Sequence, residues 1–368
     1  MRGRLVINGN MGSLATYAQR ILPFLAQSRQ GDGIPRVLFV AGAWAEGEAG
    51  DGEVRNALAE IGVPTMVNLG VWQAWRHYLS EHPEVAQVAA ELDAVSEETR
   101  GFYIEKTAFH AERIRRTIRF AHERFPDFQL GGLPLLDRDS LRPEIGLDGR
   151  ALLRRALVRE LVHDLTDLVQ NDGRMLQALE ETADTLPTRT GFAMDPDWRA
   201  RRTALEAEIL AADALIFPGG DPGALLGALR FFQLEAALRE ALRRGATLFT
   251  ISAGSLAVCE RIIVYDDFSD DPSRRDFRLF DRGLGLLGGF QILPHCMDRI
   301  HTDDPDNLAY LTRRFSTHVC AGLNEESFLH VDLSTGVATS VGEVDGVYVF
   351  GPDGVKRRYN QGEEIPMV

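Results

Sequence analysis

The 368-residue sequence has few cysteines and no long apolar run. Its three cysteines, Cys259, Cys296 and Cys320, are scattered and form no CxxC pair. This excludes a disulfide framework and favours reduced thiols in a cytoplasmic protein. No apolar run approaches the roughly 18–20 residues that a membrane-spanning helix needs. The short apolar stretch near the N-terminus indicates a first β-strand and not a signal peptide. We therefore expect no membrane partner.

A surplus of positive charge is also missing. Acidic residues outnumber basic residues, 54 against 40, and the formal net charge is −14. Because neutralising a phosphate backbone needs surplus Lys and Arg, we expect no nucleic-acid partner. The histidines and cysteines form no HExxH motif or paired Cys/His set, so we expect no metal and no other cofactor. Hydrophobic residues make up 45% of the chain, which is enough for a sizeable core.

Short, continuously apolar runs predict β-strands that are covered by helices on both faces. These runs lie at 5–7, 37–41, 63–67, Ala214–Phe217 and Thr247–Ile251. Helical segments such as 224–244 follow the strands. This alternation predicts an α/β fold with a doubly wound, mostly parallel sheet. Near the C-terminus, short strands separated by Gly-containing turns predict an antiparallel hairpin or meander.

Residues 71–204 differ in character, because they carry amphipathic helical patterns and little that resembles a strand. We therefore expect an α/β catalytic domain at 1–70 and 205–368, with 71–204 as a large helical insertion. One hypothesis makes the insertion a cap that restricts the site to short peptides or chain ends. The alternative is a side domain that stabilises the fold or forms a homodimer interface.

The strongest local signal for chemistry is Ser252, which follows an apolar strand and precedes Ala253, Gly254 and an apolar helix. This pattern is close to the nucleophile elbow G-x-S-x-G, in which a sharp strand-to-helix turn exposes a serine hydroxyl. Thr250 takes the place of the first glycine. The structural alternative is a serine that only caps a helix.

Three further segments contain candidate residues at predicted strand ends. Gly219, Gly220 and Asp221 follow one strand, His295 follows another, and Glu325 precedes the C-terminal strands. An activated serine needs a base within hydrogen-bond reach and a carboxylate that orients the base. Ser252, His295 and Glu325 supply this set. Taken singly, each segment is also compatible with a capped turn or a solvated loop.

Over about residues 1–70 and 205–350, the sequence resembles the cyanophycinase and dipeptidase E family of serine peptidases. The resemblance is carried by the segments 36–41, 217–221, 252–254, 283–286 leading to 294–295, and 322–325. It implies a glutamine-amidotransferase-like fold and hydrolysis of a peptide or isopeptide-like amide without a cofactor. It also implies that Ser252 is the nucleophile, His295 the base and Glu325 the orienting acid. The N–H groups of Gly220 and Ala253 are then the oxyanion donors.

Three positions depart from the family pattern, namely Thr250, Pro222 and Glu326, so cyanophycin or aspartyl-dipeptide cleavage is not assumed. Asp221, Asp267 and Arg299 are candidate substrate-binding residues.

Two alternatives stay open. One is an esterase-like hydrolase that uses Ser252, Asp267 and His295 in that order. The other is a catalytically inactive or regulatory binding protein on the same fold. Cys259, inside the helix after Ser252, is expected to belong to the core.

Overall fold

The computed structural model describes residues 2–28, 35–63, 65–133, 148–265, 277–342 and 345–367. Its strands are β1 (Arg4–Asn8), β2 (Val37–Phe39), β3 (Met66–Asn68), β4 (Ala214–Phe217), β5 (Thr247–Ile251), β6 (Arg261–Tyr265), β7 (Phe277–Arg282), β8 (Phe290–Pro294), β9 (Val319–Leu323), β10 (Phe328–Asp332), β11 (Ala338–Val341), β12 (Val347–Phe350), β13 (Lys356–Tyr359) and β14 (Glu364–Ile365). Its helices are α1 (Leu14–Gln27), α2 (Gly52–Glu60), α3 (Val71–Glu81), α4 (Pro83–Arg124), α5 (Gly149–Thr190), α6 (Pro196–Leu210), α7 (Pro222–Phe231), α8 (Glu235–Arg244), α9 (Ala253–Ala257), α10 (Cys296–Arg299) and α11 (Pro305–Arg314).

The central sheet has the strand order β14-β11-β10-β1-β5-β4-β2-β3. The five strands from β1 to β3 in this order pair in parallel, and β10, β11 and β14 extend the sheet by antiparallel pairing. The predicted α/β class with a mostly parallel sheet is therefore confirmed. Parallel strands end at the same edge, and this brings the ends of β4 and β5 together.

Helices cover both faces of this sheet, as the continuously apolar strands predict. Along β1, Leu5 and Ile7 point into one core and Val6 points into the other. The first core contains α7, α8 and α9, and the second contains α1 and α2. Alternate side chains of one strand thus stabilise two separate layers of helices.

A second sheet, in the order β13-β12-β9-β8, corrects the prediction of a simple C-terminal meander. β10 and β11 form the expected hairpin, but β12 pairs with β9 instead of continuing it. β8 and β9 are parallel neighbours, so the strands before His295 and Glu325 end at the same edge. The pairing of β12 with β9 joins strands that are distant in sequence, and turn signals in the sequence do not predict such pairing.

The predicted helix at 224–244 is two helices, α7 and α8. Gln233, between them, has a φ of 53°, which an α-helix does not allow. The leucine and alanine spacing runs through the break, so the sequence pattern conceals it.

The described residues between 71 and 204 form mainly helices, and α6 runs across the predicted boundary at 204/205, so the division into two domains stays a prediction. Two antiparallel partners, α4 and α5, pack along each other over most of their length. A buried ion pair joins the insertion to the α/β part, because Arg314 of α11 donates two hydrogen bonds of 2.7 Å to the Asp172 carboxylate of α5. On the other side, Arg100 of α4 lies 4.5 Å above the Phe280 ring of β7.

None of the described helices combines the length and the apolar character that a membrane span requires.

Candidate active site

Ser252 stands in a sharp turn between β5 and α9. Its φ of 48° and ψ of −106° are unusual for a residue with a side chain, and such strained backbone persists only where the surrounding structure holds it. The Ser252 N–H donates to the Asn8 carbonyl at 3.1 Å, at the end of β1. The Ser252 Oγ lies 3.0 Å from His295 Nε2. The turn therefore presents the hydroxyl to an imidazole.

Thr250 has a structural reason to replace the usual glycine. Its hydroxyl is fully buried and lies 2.8 Å from the Ser255 hydroxyl. Ser255 in turn donates to the Asn8 carbonyl at 2.7 Å. The threonine thus links β5 to α9 and, through Ser255, to the end of β1 beneath the Ser252 turn.

The loop after β4 packs tightly beside Ser252. A side chain on Gly219 would come within 3.4 Å of the Ser252 Cβ, and one on Gly220 would meet the Ala43 carbonyl oxygen at 2.4 Å. Gly220 also has a φ of 136°, which favours glycine. In the part of the chain that the structure describes, the N–H groups of Gly220 and Ala253 have no hydrogen-bond partner. Two N–H donors that are unpaired among the described residues therefore lie in the segments next to Ser252, and their role as oxyanion donors stays a prediction.

Residues 41–47 form 3-10 turns with a kink at Ala45, where φ is 49°, and they contact this loop from the other side. The Trp44 indole N–H donates to the Gly219 carbonyl at 3.0 Å, and the Asp221 N–H donates to the Ala43 carbonyl at 2.8 Å. Sequence analysis did not identify Trp44. A tryptophan in an otherwise small-residue segment is the signal that could have found it.

His295 adopts a left-handed conformation, with φ 54° and ψ 35°, between β8 and α10. Burial lowers its pKa below the ordinary value of a histidine, and the charges of Asp298 and then Glu325 oppose this effect. A neutral imidazole next to the serine is the form that can accept a proton.

Glu325 lies in the turn before β10, and its backbone pairs with Asn10. Its carboxylate rests against Gly12, because a side chain there would meet Oε1 at 2.0 Å. Among the described residues, no hydrogen bond joins Glu325 to His295. The two side chains are near enough to interact electrostatically, and direct contact stays a prediction.

Two asparagines that the sequence analysis missed connect these turns. The Asn8 side chain donates to the Ser327 carbonyl at 2.9 Å, which links the Ser252 turn to the Glu325 turn. The Asn324 Oδ1 accepts from the Met297 N–H at 3.1 Å, which links the Glu325 turn to the helix that follows His295. Each asparagine stands at a strand end, which was the available signal.

The other predicted site residues have separate positions. The Asp221 carboxylate caps α7 by accepting from the Gly223 N–H at 2.7 Å. Arg299 closes α10, and its N–H donates to the His295 carbonyl at 2.9 Å. Asp267 lies outside the described residues, so the triad with Asp267 stays a prediction, as do all three substrate-binding roles. Cys259 is buried, and burial raises the pKa of its thiol to about 12.

A cavity of about 350 Å³ opens beside Ser252 and His295. Its walls come from α1, α2, the 41–47 segment and the ends of the central strands, with no described residue of 71–204 among them. A role for the insertion as a cap therefore stays a prediction. Within the described ranges, no group of three or more His, Cys, Asp and Glu side chains has a metal-binding arrangement.

Part of the sequence is similar to a known family of peptidases. The sequence profile described as "Peptidase family S51" matches residues 169–339, somewhat less than half of the chain, and these include Ser252, His295 and Glu325. That family includes dipeptidase E and cyanophycinase. The expected similarity to peptidases is thus confirmed at this level, and the assignment to either subfamily stays a prediction.

No curated protein matches the chain. Among solved structures, the crystal structure of a peptidase from an acI-B1 Actinobacterium is similar to it, with 13% identity and a TM-score of 0.48. The similarity covers 99% of this chain and 97% of that chain.

Proposed function

We propose that the protein is a serine-type peptidase or amidohydrolase that cleaves a peptide or isopeptide-like amide. The observation that carries this proposal is the 3.0 Å contact between Ser252 Oγ and His295 Nε2 at a strained strand-to-helix turn. Nucleophile and base within hydrogen-bond reach are the arrangement that serine hydrolases need. The match of residues 169–339 to a peptidase family supports the same chemistry.

In the proposed mechanism, the Ser252 hydroxyl attacks the amide carbonyl while His295 takes its proton. The N–H groups of Gly220 and Ala253, which are unpaired among the described residues, donate to the oxygen that becomes negative. His295 then returns the proton to the leaving amine. In the second half of the reaction, water attacks the acyl-enzyme while His295 takes a proton from it, and His295 then returns that proton to the Ser252 oxygen. No metal or organic cofactor takes part in these steps.

Glu325 is the proposed orienting acid, and Asp298 is the carboxylate to test against it. Both charges raise the pKa of His295 against the effect of burial, and Asp298 has the larger effect of the two. Asp298, however, lies in α10, where its N–H is bonded to the His295 carbonyl at 3.1 Å. Glu325 belongs to a different element, the turn before β10, and its carboxylate lies against Gly12. We therefore propose Glu325 as the orienting acid, because it can fix the imidazole ring independently of the helix that follows His295.

A fluorophosphonate probe with mass-spectrometric mapping tests the nucleophile. We expect labelling of Ser252, and a loss of at least about a thousandfold in amide hydrolysis for Ser252→Ala with folding preserved. Ser80→Ala, which changes an exposed serine, is the matched control and should behave as the unmodified protein. Full activity in a folded Ser252→Ala protein would exclude the serine mechanism.

The acid is tested by comparing Glu325→Gln with Asp298→Asn. Both changes remove one negative charge near His295 and keep the side-chain shape. If Glu325 fixes the imidazole tautomer, Glu325→Gln should lower kcat by orders of magnitude and Asp298→Asn much less. The reverse ranking would assign the orienting role to Asp298.

A further inference from the structure

The cavity beside Ser252 is apolar almost throughout. Its walls include Ile21 of α1, Phe39 of β2 and Ile216 of β4, all of which are buried in the second core of the sheet. Among the described residues of its lining there is no Lys, Arg, Asp or Glu. A charged group entering this space would lose its hydration without gaining an opposite charge. The cavity therefore favours an uncharged, apolar occupant.

One buried polar group in the wall, the Tyr17 hydroxyl, has no hydrogen-bond partner among the described residues. Tyr17 is only 5% exposed, and its hydroxyl makes no hydrogen bond within the described part of the chain. Burial raises the pKa of this phenol, so the hydroxyl stays neutral. Buried polar groups of folded proteins are normally paired with protein, water or ligand. A tyrosine hydroxyl that is unpaired among the described residues and lies in the wall of an apolar cavity is expected where a ligand binds and completes its hydrogen bonding.

The position of the cavity indicates which part of a substrate would enter it. Its wall at the reacting centre is formed by Ser252, His295 and Gly219. The acyl group stays bonded to the serine after the amine has left, and its side chain branches one carbon from the carbonyl. The side chain on the acyl side of the scissile bond is therefore the part of a substrate that lies nearest to this space.

We propose that this cavity is the specificity subsite for a large apolar side chain, aromatic or branched aliphatic, on the acyl side of the scissile amide. The proposal rests on the function proposed above. A volume of about 350 Å³ is at the lower end of the range of small-molecule pockets, about 300–1,000 Å³, which suits one such side chain.

Substrates with a constant leaving group test this preference. In a series of amino-acid amides of 7-amino-4-methylcoumarin, only the acyl side chain varies. We expect kcat/KM for Phe and Leu to exceed that for Ala by about tenfold to a hundredfold, in keeping with the transfer of one such side chain out of water. Asp and Lys should fall below Ala. Equal rates across the series, or a preference for Asp or Lys, would overturn the proposal.

A pair of variants on α1 locates the preference. Ala18 lines the cavity and is 1% exposed, whereas Ala15 lies on the exposed side of the same helix. Ala18→Phe should reduce the Phe-to-Ala substrate ratio at least tenfold by filling the space, and Ala15→Phe should leave it unchanged. If Ala18→Phe does not fold, Ile21→Ala enlarges the cavity instead and should move the optimum from Phe toward naphthylalanine. An unchanged optimum would overturn the assignment.

Two readouts separate this proposal from the function on which it rests. Labelling of Ser252 by a small fluorophosphonate requires only the nucleophile and base, and should persist in both Ala18→Phe and Ala15→Phe. Binding of N-acetyl-phenylalanine amide to the Ser252→Ala protein, measured by calorimetry, requires only the cavity. Its affinity should exceed that of N-acetyl-aspartic acid α-amide, which has a free side-chain carboxylate. Labelling without the apolar preference would refute the subsite alone, and binding without labelling would refute the serine mechanism alone.

Discussion

The region around Ser252 and the helical insertion are held together in different ways. Short elements meet around Ser252, and buried hydrogen bonds from Asn8 and Thr250 connect them. In the insertion, α4 and α5 each run for 42 residues, but α4 buries only four of them and so depends on its partner helix and a few anchors. The comparison teaches that strained backbone at Ser252 is tolerated because many contacts fix it. The long helical pair has unstrained backbone, so a few contacts with the rest of the protein are enough to hold it.

The buried anchor of the insertion should give the largest change in stability. Asp172 and Arg314 are 3% and 2% exposed and form two hydrogen bonds, so removing one partner leaves an uncompensated buried charge. Asp172→Ala should lower the free energy of unfolding by about 3–5 kcal/mol. The measurement is urea-induced unfolding.

The matched control is Glu91, which forms a similar two-bond pair with Arg189 at the surface of the same insertion. Because both side chains are largely exposed, Glu91→Ala should leave the unfolding midpoint nearly unchanged. Equal effects of the two substitutions would show that burial does not decide the strength of this anchor.

Among the substitutions around Ser252, Gly220→Ala should cause the largest loss of catalytic activity. Its positive φ and the 2.4 Å approach to the Ala43 carbonyl leave no room for a methyl group, so the loop must move. If the Gly220 N–H is an oxyanion donor, as proposed, displacing it should lower kcat by about a hundredfold to a thousandfold, with KM less affected. Gly132→Ala, at a site with no neighbouring atoms, is the control. Unchanged kcat for Gly220→Ala would remove this N–H from the mechanism.

Thr250→Val measures how much the hydrogen bonds beneath the turn contribute. The substitution keeps the shape of the side chain but deprives the Ser255 hydroxyl of a buried partner. We expect a loss of about 1–3 kcal/mol in the free energy of unfolding. Thr117→Val in α4 removes a hydroxyl that, among the described residues, is bonded only to the Arg113 carbonyl of its own helix, and it should cost less. A larger loss at Thr117 would reverse the comparison between the two regions.

The smallest predicted effect is a shift in the pH dependence of kcat/KM. In the proposed mechanism, catalysis needs neutral His295 and declines as pH falls through the pKa of this residue. Because burial lowers that pKa, the acid limb should lie below the ordinary histidine value of about 6.5. Removing a negative charge by Glu325→Gln or Asp298→Asn should move the limb further down. A limb above the ordinary value, or an upward shift in both variants, would contradict this electrostatic account.

Sequence patterns predicted the parts of the fold that depend on local chemistry. The bounds of β4 and β5 agree with the predicted runs, because buried parallel strands are largely apolar and these two end where Pro218 and Ser252 follow. Ser252 and His295 were predicted on this basis from two strand ends, and the structure brings their side chains together.

The parts that depend on distant pairing were not predictable in the same way. In the second sheet, β9 pairs with β8 on one side and with β12 on the other. No local sequence pattern indicates that β12 pairs with β9 instead of with the preceding β10–β11 hairpin. The apolar cavity arises from side chains of α1, α2 and the strands β2, β4 and β5, each of which alone has the sequence pattern of ordinary core. Asn8 and Asn324 act through bonds to backbone groups of other turns, which a sequence does not show.

The position of β1 in the central sheet has a consequence for synthesis of the protein. Leu5 pairs with Leu248 on one side and with Val331 on the other. A ribosome therefore delivers β1 long before either neighbouring strand exists, and both edges of an apolar strand stay open while the rest is translated. Such edges invite pairing with other chains, and contacts between distant segments form slowly. We expect nascent chains that stop before β5 to bind chaperones or aggregate, and the yield of folded protein to depend on how quickly translation reaches β10.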